Sequence, residues 1–375
     1  MHASVMRKPE ARPITAAPPA YRRFIRPPHT AKRGITPPPS ELPTRTVADV
    51  GERALIQRIT ARLPTPAWVV IGTGDDAAVV EPVRGALDVL TTDAQVEGVH
   101  FDRRFVPPDA IGHRALAVNL SDLAAMGARP RAALLSLVLP DLLEVAVVDG
   151  LLDGMLALAD THRIAVVGGN ISRSPGPLMV DVTATGTIRR RRILTRAGAR
   201  PGDGVYVTGT IGDAYVGLRL LQSASAEGFG EIGPCEEKYL RPEPRLRAGM
   251  LLAGNRAVSA CMDLSDGLAD GVRQIAAASG VGITIDAAAL PIADGVTRWH
   301  AQRGEDALGA ALHGGDDYEL LFTVPARREG RLRGVRQMLG DLPISKIGLV
   351  TANRRLILRT ADGDRDMPDG FEHFR

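Results

Sequence analysis

Six short stretches of this chain set acids or amides beside glycine and hydroxyl residues. They are Gly72-Thr73-Gly74-Asp75-Asp76, Thr91-Thr92-Asp93, Asn119-Leu120-Ser121-Asp122, Gly168-Gly169-Asn170, Asp263-Leu264-Ser265-Asp266-Gly267 and Gly314-Gly315-Asp316-Asp317-Tyr318-Glu319. Glycine lets a backbone turn sharply and approach a ligand, and carboxylate, amide and hydroxyl oxygens are the hard donors that magnesium takes. Aspartates 75, 76, 93, 122, 263, 266, 316 and 317 therefore pose an energetic choice. Two like charges about 4 Å apart repel by roughly 4 kcal/mol at an effective dielectric near 20. If the stretches converge, they need bound cations or raised pKa values; if they stay apart, they are caps and turns. Taken singly, each aspartate reads as a cap. Repeated placement of Asp beside Gly at the ends of apolar strands points instead to convergence on divalent cations, and so to polyphosphate chemistry.

Other chemistries lack their residues. The only lysines are Lys8, Lys32, Lys238 and Lys346, none in a Gly-Lys-Ser/Thr phosphate loop. Neither His-Glu-x-x-His nor Gly-x-Ser-x-Gly occurs. His100 follows Thr91–Asp93 closely enough to be a substrate contact; alone, it reads equally well as a surface histidine.

The elements that must position these residues can be read from periodicity. Helical spacing runs from Glu52 to Leu63 and from Pro107-Pro108-Asp109 to Met126, where Gly127 and Pro130 end it. Apolar runs at Trp68–Ile71, Leu87–Leu90, Leu134–Leu139, Ile164–Val167 and Leu178–Thr185 read as strands, and Leu142–Ala159 as a helix. This pattern predicts an α+β domain of split-βαβ, ferredoxin-like character over residues 47–192. A C-terminal α/β domain over residues 193–375 follows the Arg189–Arg192 run and the Pro201-Gly202-Asp203-Gly204 turn. The four consecutive arginines read as a solvated boundary, with a phosphate clamp as the alternative.

The chain has 375 residues, 45% of them hydrophobic and 4% aromatic, enough for two domains and poor in base-stacking surface. Its net charge of +3 is misleading. Residues 1–46 hold nine basic and two acidic residues and ten prolines, a balance of +7, which leaves the rest mildly acidic at −4. That head cannot bury enough apolar area to offset the entropy of ordering and reads as a disordered extension. Its competing readings are a bland tail, an arm for an anionic partner and a processed targeting peptide. No run approaches a membrane span, nucleic acid has only the head to bind, and two isolated cysteines, Cys235 and Cys261, fit a reducing, cytoplasmic interior.

The stretches, in this order, resemble the thiamine-monophosphate kinases, a family of the aminoimidazole-ribonucleotide-synthetase-like ATP-binding superfamily. The likeness runs from about Gly51 to the C-terminus. It rests on Gly-Asp-Asp-Ala-Ala at 74–78, Thr-Thr-Asp at 91–93 and Ala-Val-Asn-Leu-Ser-Asp-Leu-Ala-Ala-Met-Gly at 117–127. Leu-Thr-Arg-Ala-Gly-Ala at 194–199, Val-Thr-Gly-Thr-Ile-Gly-Asp at 207–213, Asp-Leu-Ser-Asp-Gly-Leu at 263–268 and Asp-Tyr-Glu-Leu-Leu-Phe at 317–322 complete it.

The resemblance implies direct in-line transfer of the ATP γ-phosphoryl group to thiamine phosphate, giving thiamine diphosphate, with several Mg²⁺ ions and no general base. It also implies a homodimer joined through the N-terminal domains and an ATP site in the cleft between domains. By the same resemblance, Asp76, Thr91, Thr92, Asp93, Asp122, Asn170, Asp263 and Asp266 are metal ligands. Gly169, Asn170, Arg196 and Ser265 contact ATP; His100, Asp316 and Phe371 contact the substrate. Asn170 departs from the family's usual Asp and removes one negative charge. Aminoimidazole ribonucleotide synthetase and a non-catalytic nucleotide-binding regulator are the alternatives.

Overall fold

The computed structural model describes residues 45–224 and 233–370. The extension to residue 44 and Phe371 therefore lie outside the described residues. Thr46 caps the short α1 (Val47–Val50) in a capping box with Asp49, and α2 (Glu52–Thr60) buries Leu55 and Ile59. β1 (Val69–Ile71) and β2 (Val79–Val80) pair only with each other, as an antiparallel ribbon. The 68–71 run is thus a strand, but not one of the domain's main sheet.

That sheet comprises β3 (Leu87–Val96), β4 (Arg129–Pro140), β5 (Ala165–Ser174) and β6 (Met179–Ile188), in the order β3-β6-β4-β5. β4 and β5 run parallel, while β6 is antiparallel to both of its neighbours, β3 and β4. Two stretches expected at strand ends lie inside strands instead. β3 continues to Val96, carrying Thr91–Asp93 within it, and β5 carries Asn170. The reason is cross-strand pairing: Thr91, Thr92 and Asp93 stand opposite Ala184, Thr183 and Val182 of β6, so the ladder continues through the polar residues.

Two helices, α3 (Pro108–Ala125) and α4 (Val145–His162), complete this half. α3 has fourteen of its eighteen residues buried, which explains why no amphipathic stripe marks it. It packs against α4, the sheet and the C-terminal half. Asp122 sits in its last turns.

The C-terminal half is an α/β unit. It starts with β7 (Gly204–Thr208), α5 (Asp213–Ala224), α6 (Pro234–Leu240) and α7 (Leu246–Asn255). β8 (Ala260–Asp263), α8 (Leu268–Ser279), β9 (Gly282–Asp286), α9 (Asp294–Ala301) and α10 (Leu308–His313) follow. The chain then runs through β10 (Leu320–Val324), α11 (Glu329–Leu339), β11 (Ile344–Thr351), β12 (Leu356–Thr360) and β13 (Gly363–Asp366). Its seven strands order as β13-β12-β9-β11-β7-β10-β8, with only the β12–β9 pair parallel.

One hydrophobic core joins the halves, running from Leu116 and Leu120 of α3 through Leu252 of α7 to Phe322 of β10. The α3–α7 crossing is close enough that a Cβ on Gly249 would lie 2.0 Å from the Ala124 carbonyl oxygen. Glycine is required there for packing. The consequence is that the C-terminal turns of α3 are clamped rigidly beside β8.

Candidate active site

Asp122 neighbours two further carboxylates, Asp93 and Asp263, where α3, β3 and β8 adjoin. Thr91 donates its hydroxyl hydrogen bond to Asp122, and Ser121 donates to Asp263 at 2.6 Å. Asp93 shares the Thr91 face of β3, two residues along. Burial pushes its carboxyl up to about 6, helped by the charges of Asp122 and Asp181. Asp263 is 5% exposed at the end of β8, and burial followed by the Asp122 charge raises it as well. Burial likewise raises Asp122, against the opposing Thr91 hydrogen bond and Arg196 charge.

These acids strain against one another with one nearby guanidinium, Arg196, to offset them. Its Nη1 is held by Gln274, which in turn bonds Asp270. No three acid, histidine or cysteine side chains among the described residues close on a single point. The arrangement is pairwise, as suits an ion that takes one or two carboxylates and completes its shell with substrate phosphates and water.

Three further predicted ligands, Thr92, Asn170 and Asp76, lie at the other face of the same sheet. Thr92, alternating away from Thr91, lies 3.0 Å from Thr183 Oγ1 and donates to Asp181 at 3.4 Å. Asp181 and Thr183 line a groove of about 770 Å³ together with the Gly72–Ala78 loop, Gly169 and Asn170. Asp76 and Asn170 therefore line one groove with Asp181. Asn170 donates to Ser172 at 3.0 Å, and the Asp76 amide donates to Asp75 Oδ1 at 2.9 Å, a local turn contact. Gly169 has a packing reason to be glycine, since a Cβ would lie 1.9 Å from the Leu135 carbonyl oxygen.

The two late loops are stapled together. Asp316 and Tyr318 donate their backbone amides to the carbonyls of Ser265 and Leu264 at 2.8 and 2.9 Å. Ser265 donates its hydroxyl to Asp266 at 2.8 Å, so these two predicted residues satisfy each other. The acids of 316–319 then part company. Asp317 accepts from the Gly212 and Ala214 amides at 2.5 and 3.1 Å, at the start of α5. Glu319, fully buried, takes both prongs of Arg245 at 2.7 and 2.8 Å, the Thr208 hydroxyl at 2.6 Å and Lys238 at 3.1 Å. Asp317, one of the eight aspartates expected to converge, is thus a cap, because amide donors stand where a cation would. Asp316 alone keeps a partly open side chain, 34% exposed, paired with Arg114 at 3.2 Å.

His100 sits in the turn after β3, where its Nδ1 accepts from the Val96 amide at 3.1 Å and its carbonyl accepts from the Tyr239 hydroxyl at 3.3 Å. Sequence reasoning missed Asp181 and Arg114. The first shows itself as an acid in the otherwise Val/Thr alternation of β6. The second gives no signal, being an arginine inside an apolar helix. Cys235 and Cys261 are buried and unpaired, and burial pushes the Cys235 thiol up to about 11, so neither offers a thiolate.

A second, larger hollow of about 1,710 Å³ contains none of these acids; Arg129, Arg131, Arg163, Arg189, Arg192 and Arg247 are among its lining residues. It opens at the end of β6 away from Asp181. Volume does not mark the chemistry here.

The AIR synthase related protein N-terminal domain family matches residues 74–188, and the corresponding C-terminal domain family matches residues 200–360. The chain is 38% identical over 328 residues to the thiamine-monophosphate kinase of Escherichia coli (strain K12), covering 86% of this chain and 98% of that one. The thiamine-monophosphate kinase of Bacillus subtilis (strain 168) is 36% identical over 330 residues, with the same coverage. Among solved structures, the thiamine-monophosphate kinase of Stenotrophomonas maltophilia K279a superposes with a TM-score of 0.72 at 38% identity, covering 81% of this chain and 94% of that one. AaThiL complexed with AMPPCP and TMP gives a TM-score of 0.68 at 34% identity, covering 89% and 100%.

Proposed function

The chain belongs to the thiamine-monophosphate kinase family of AIR synthase related proteins, and on that premise we propose that it phosphorylates thiamine phosphate at the expense of ATP, giving thiamine diphosphate and ADP. The observation that carries this reading is Asp122 flanked by Asp93 and Asp263: burial raises all three carboxyls, and the Asp122 charge raises the other two further. Donor and acceptor are both phosphates, and a site for them must cancel their repulsion before they can approach in line.

The donor set fits Mg²⁺: hard oxygens, uncompensated negative charge, and room for phosphates to complete the shell. Asp93, Asp122, Asp263 and Thr91 would hold ions on one side, with Asp266 alongside, and Asp76, Thr92 and Asn170 on the other. Bound there, Mg²⁺ supplies charge neutralisation and alignment of the phosphates. The protein's own groups do the rest. Arg196 and Ser265, with the backbone of Gly169 and Asn170, hold the ATP phosphates. Asp316 faces the cationic thiazolium, and His100 and Phe371 contact the substrate. The acceptor is already an oxyanion, so no side chain need remove a proton.

A homodimer through the N-terminal domain goes with this reading, supported by the exposed Val70, Leu90 and Leu134. So does a cytoplasmic location, since both cysteines are unpaired; no helix among the described residues is long and apolar enough to cross a membrane. The direct assay incubates the full chain with Mg-ATP and thiamine phosphate and separates the products by chromatography. Thiamine diphosphate is the expected product. None, with turnover of formylglycinamidine ribonucleotide instead, overturns the reading.

A further inference from the structure

The acid that faces the thiamine side is held by machinery not visible in any acidic motif. Arg114 lies on α3 with 1% of its surface exposed, one of the largest fully buried side chains of the molecule. Its Nη2 reaches Asp316 Oδ1 at 3.2 Å, its Nη1 donates to the Tyr239 carbonyl, and its guanidinium lies over the Tyr239 ring, 4.3 Å from the centroid. Tyr239 in turn donates its hydroxyl to the carbonyl of His100 at 3.3 Å. Tyr318 donates to the same Asp316 oxygen at 2.9 Å. One buried cation therefore connects Asp316 with the turn that carries His100.

We propose that Arg114 is a positioning residue for the thiamine end of the substrate: it fixes Asp316 and, through Tyr239, His100, so that the two are set at a constant separation. The proposal rests on the kinase reading above and extends it to a residue that does not touch the reacting atoms. Three observations carry it. Both named bonds to the carboxylate end on Oδ1, leaving Oδ2 with no partner among the described residues and available to a cationic ring.

The loop is also held in a conformation that side chains seldom adopt, with Asp316 at φ 67° and Tyr318 at φ 50°. Such backbone persists where its surroundings over-determine it, as at ligand clamps. Finally, α3 also carries Asp122, eight residues further on, about 12 Å along the axis at about 1.5 Å per residue. One helix, packed on both sides, thus carries a phosphate-side acid in its last turns and the thiamine-side anchor about two turns earlier. Burial penalises the guanidinium charge, and Asp316, Tyr239 and Tyr318 together outweigh that penalty. A planar fork is needed, because a lysine could not serve the carboxylate and the Tyr239 carbonyl together while covering a ring.

The test compares the full chain with Arg114→Met and Arg114→Lys, measuring kcat and KM separately for thiamine phosphate and for ATP. Inhibition by unphosphorylated thiamine, which carries only the cationic end, is measured alongside. Arg114→Met should raise the KM for thiamine phosphate and the inhibition constant of thiamine about 10- to 100-fold, the scale of a lost charge-assisted hydrogen bond. The KM for ATP should stay within about twofold. Arg114→Lys should recover part of the loss.

An unchanged KM for thiamine phosphate, or both KM values rising together with a lowered melting temperature, overturns the proposal. If Arg114→Met does not fold, Tyr318→Phe removes only the second bond to Oδ1 and should raise the same KM about three- to tenfold; no change there overturns it equally. Wild-type chain that makes no thiamine diphosphate would sink the kinase reading itself, whereas active wild type with an indifferent Arg114→Met sinks only this inference.

Discussion

Two acidic regions that look alike as sequence are given different partners in the fold. Around Asp93, Asp122 and Asp263, carboxylates face carboxylates; burial raises all three, and the Asp122 charge raises Asp93 and Asp263 further. Around Asp317 and Glu319, each carboxylate has been met by the protein itself: two helix amides for the first, Arg245, Lys238 and Thr208 for the second. Burial pushes Asp317 up to about 7 as well, so the regions differ in their partners and not in the direction of that shift. A buried acid that the chain leaves uncompensated is one reserved for something absent from the chain. A buried acid already paired is structural. Substitutions should separate the two regions cleanly, stability responding in one and turnover in the other.

The largest effect belongs to the compensated region. Glu319→Gln leaves Arg245 and Lys238 without their shared buried partner and should cost about 3–5 kcal/mol of stability, the scale of a broken buried pair, measured by urea unfolding. A loss below about 1 kcal/mol, the worth of an exposed pair, would erase the distinction. Next come Asp93→Asn and Asp263→Asn, each expected to lower turnover at saturating Mg²⁺ by about a hundredfold or more. Their melting temperatures without divalent ions should be unchanged or higher, because repulsion is relieved. Near-normal rates in both would contradict the assignment.

The pH response sharpens the same contrast. Asp93 has its folded pKa raised to about 6 from an ordinary 3.8. Between those values the folded state holds a proton the unfolded chain has lost, so its contribution falls as pH rises through that window and levels off above it. Without divalent ions, wild type should therefore lose melting temperature relative to Asp93→Asn between about pH 4 and 6.5. A parallel pair of curves would deny the burial. Smallest is Asn170→Asp, which restores a charge to the groove shared with Asp76 and should lower the Mg²⁺ needed for half-maximal rate by a few-fold. An unchanged titration would mean that position 170 is no ligand.

What the sequence disclosed follows from what is local. The helix of 108–125 and the strand at 134–139 were legible because their starts, stops and apolar runs are written in neighbouring residues. The extent of β3 was not. Thr91–Asp93 reads as a polar break, and only its pairing with Val182–Ala184 shows the strand continuing. The split between Thr91 and Thr92 follows from that strand, since alternation sends adjacent residues to opposite faces. The candidate acids were found by type and spacing, yet Asp317 and Asp316 could not be told apart until their partners, Gly212 and Arg114, arrived from a hundred or more residues away. Asp181 and Arg114 escaped notice for the same reason: each matters through what stands opposite it.

The central claim is that Asp93, Asp122 and Asp263 gather divalent ions that let two mutually repelling phosphates meet. Its most direct test is calorimetric titration of Mg²⁺ into the full chain saturated with a non-hydrolysable ATP analogue, for wild type and Asp122→Asn. The account predicts that the variant binds fewer Mg²⁺ ions than wild type, or binds one of them at least about tenfold more weakly, the worth of about 1.4 kcal/mol. Identical stoichiometry and affinity in the two proteins would contradict it.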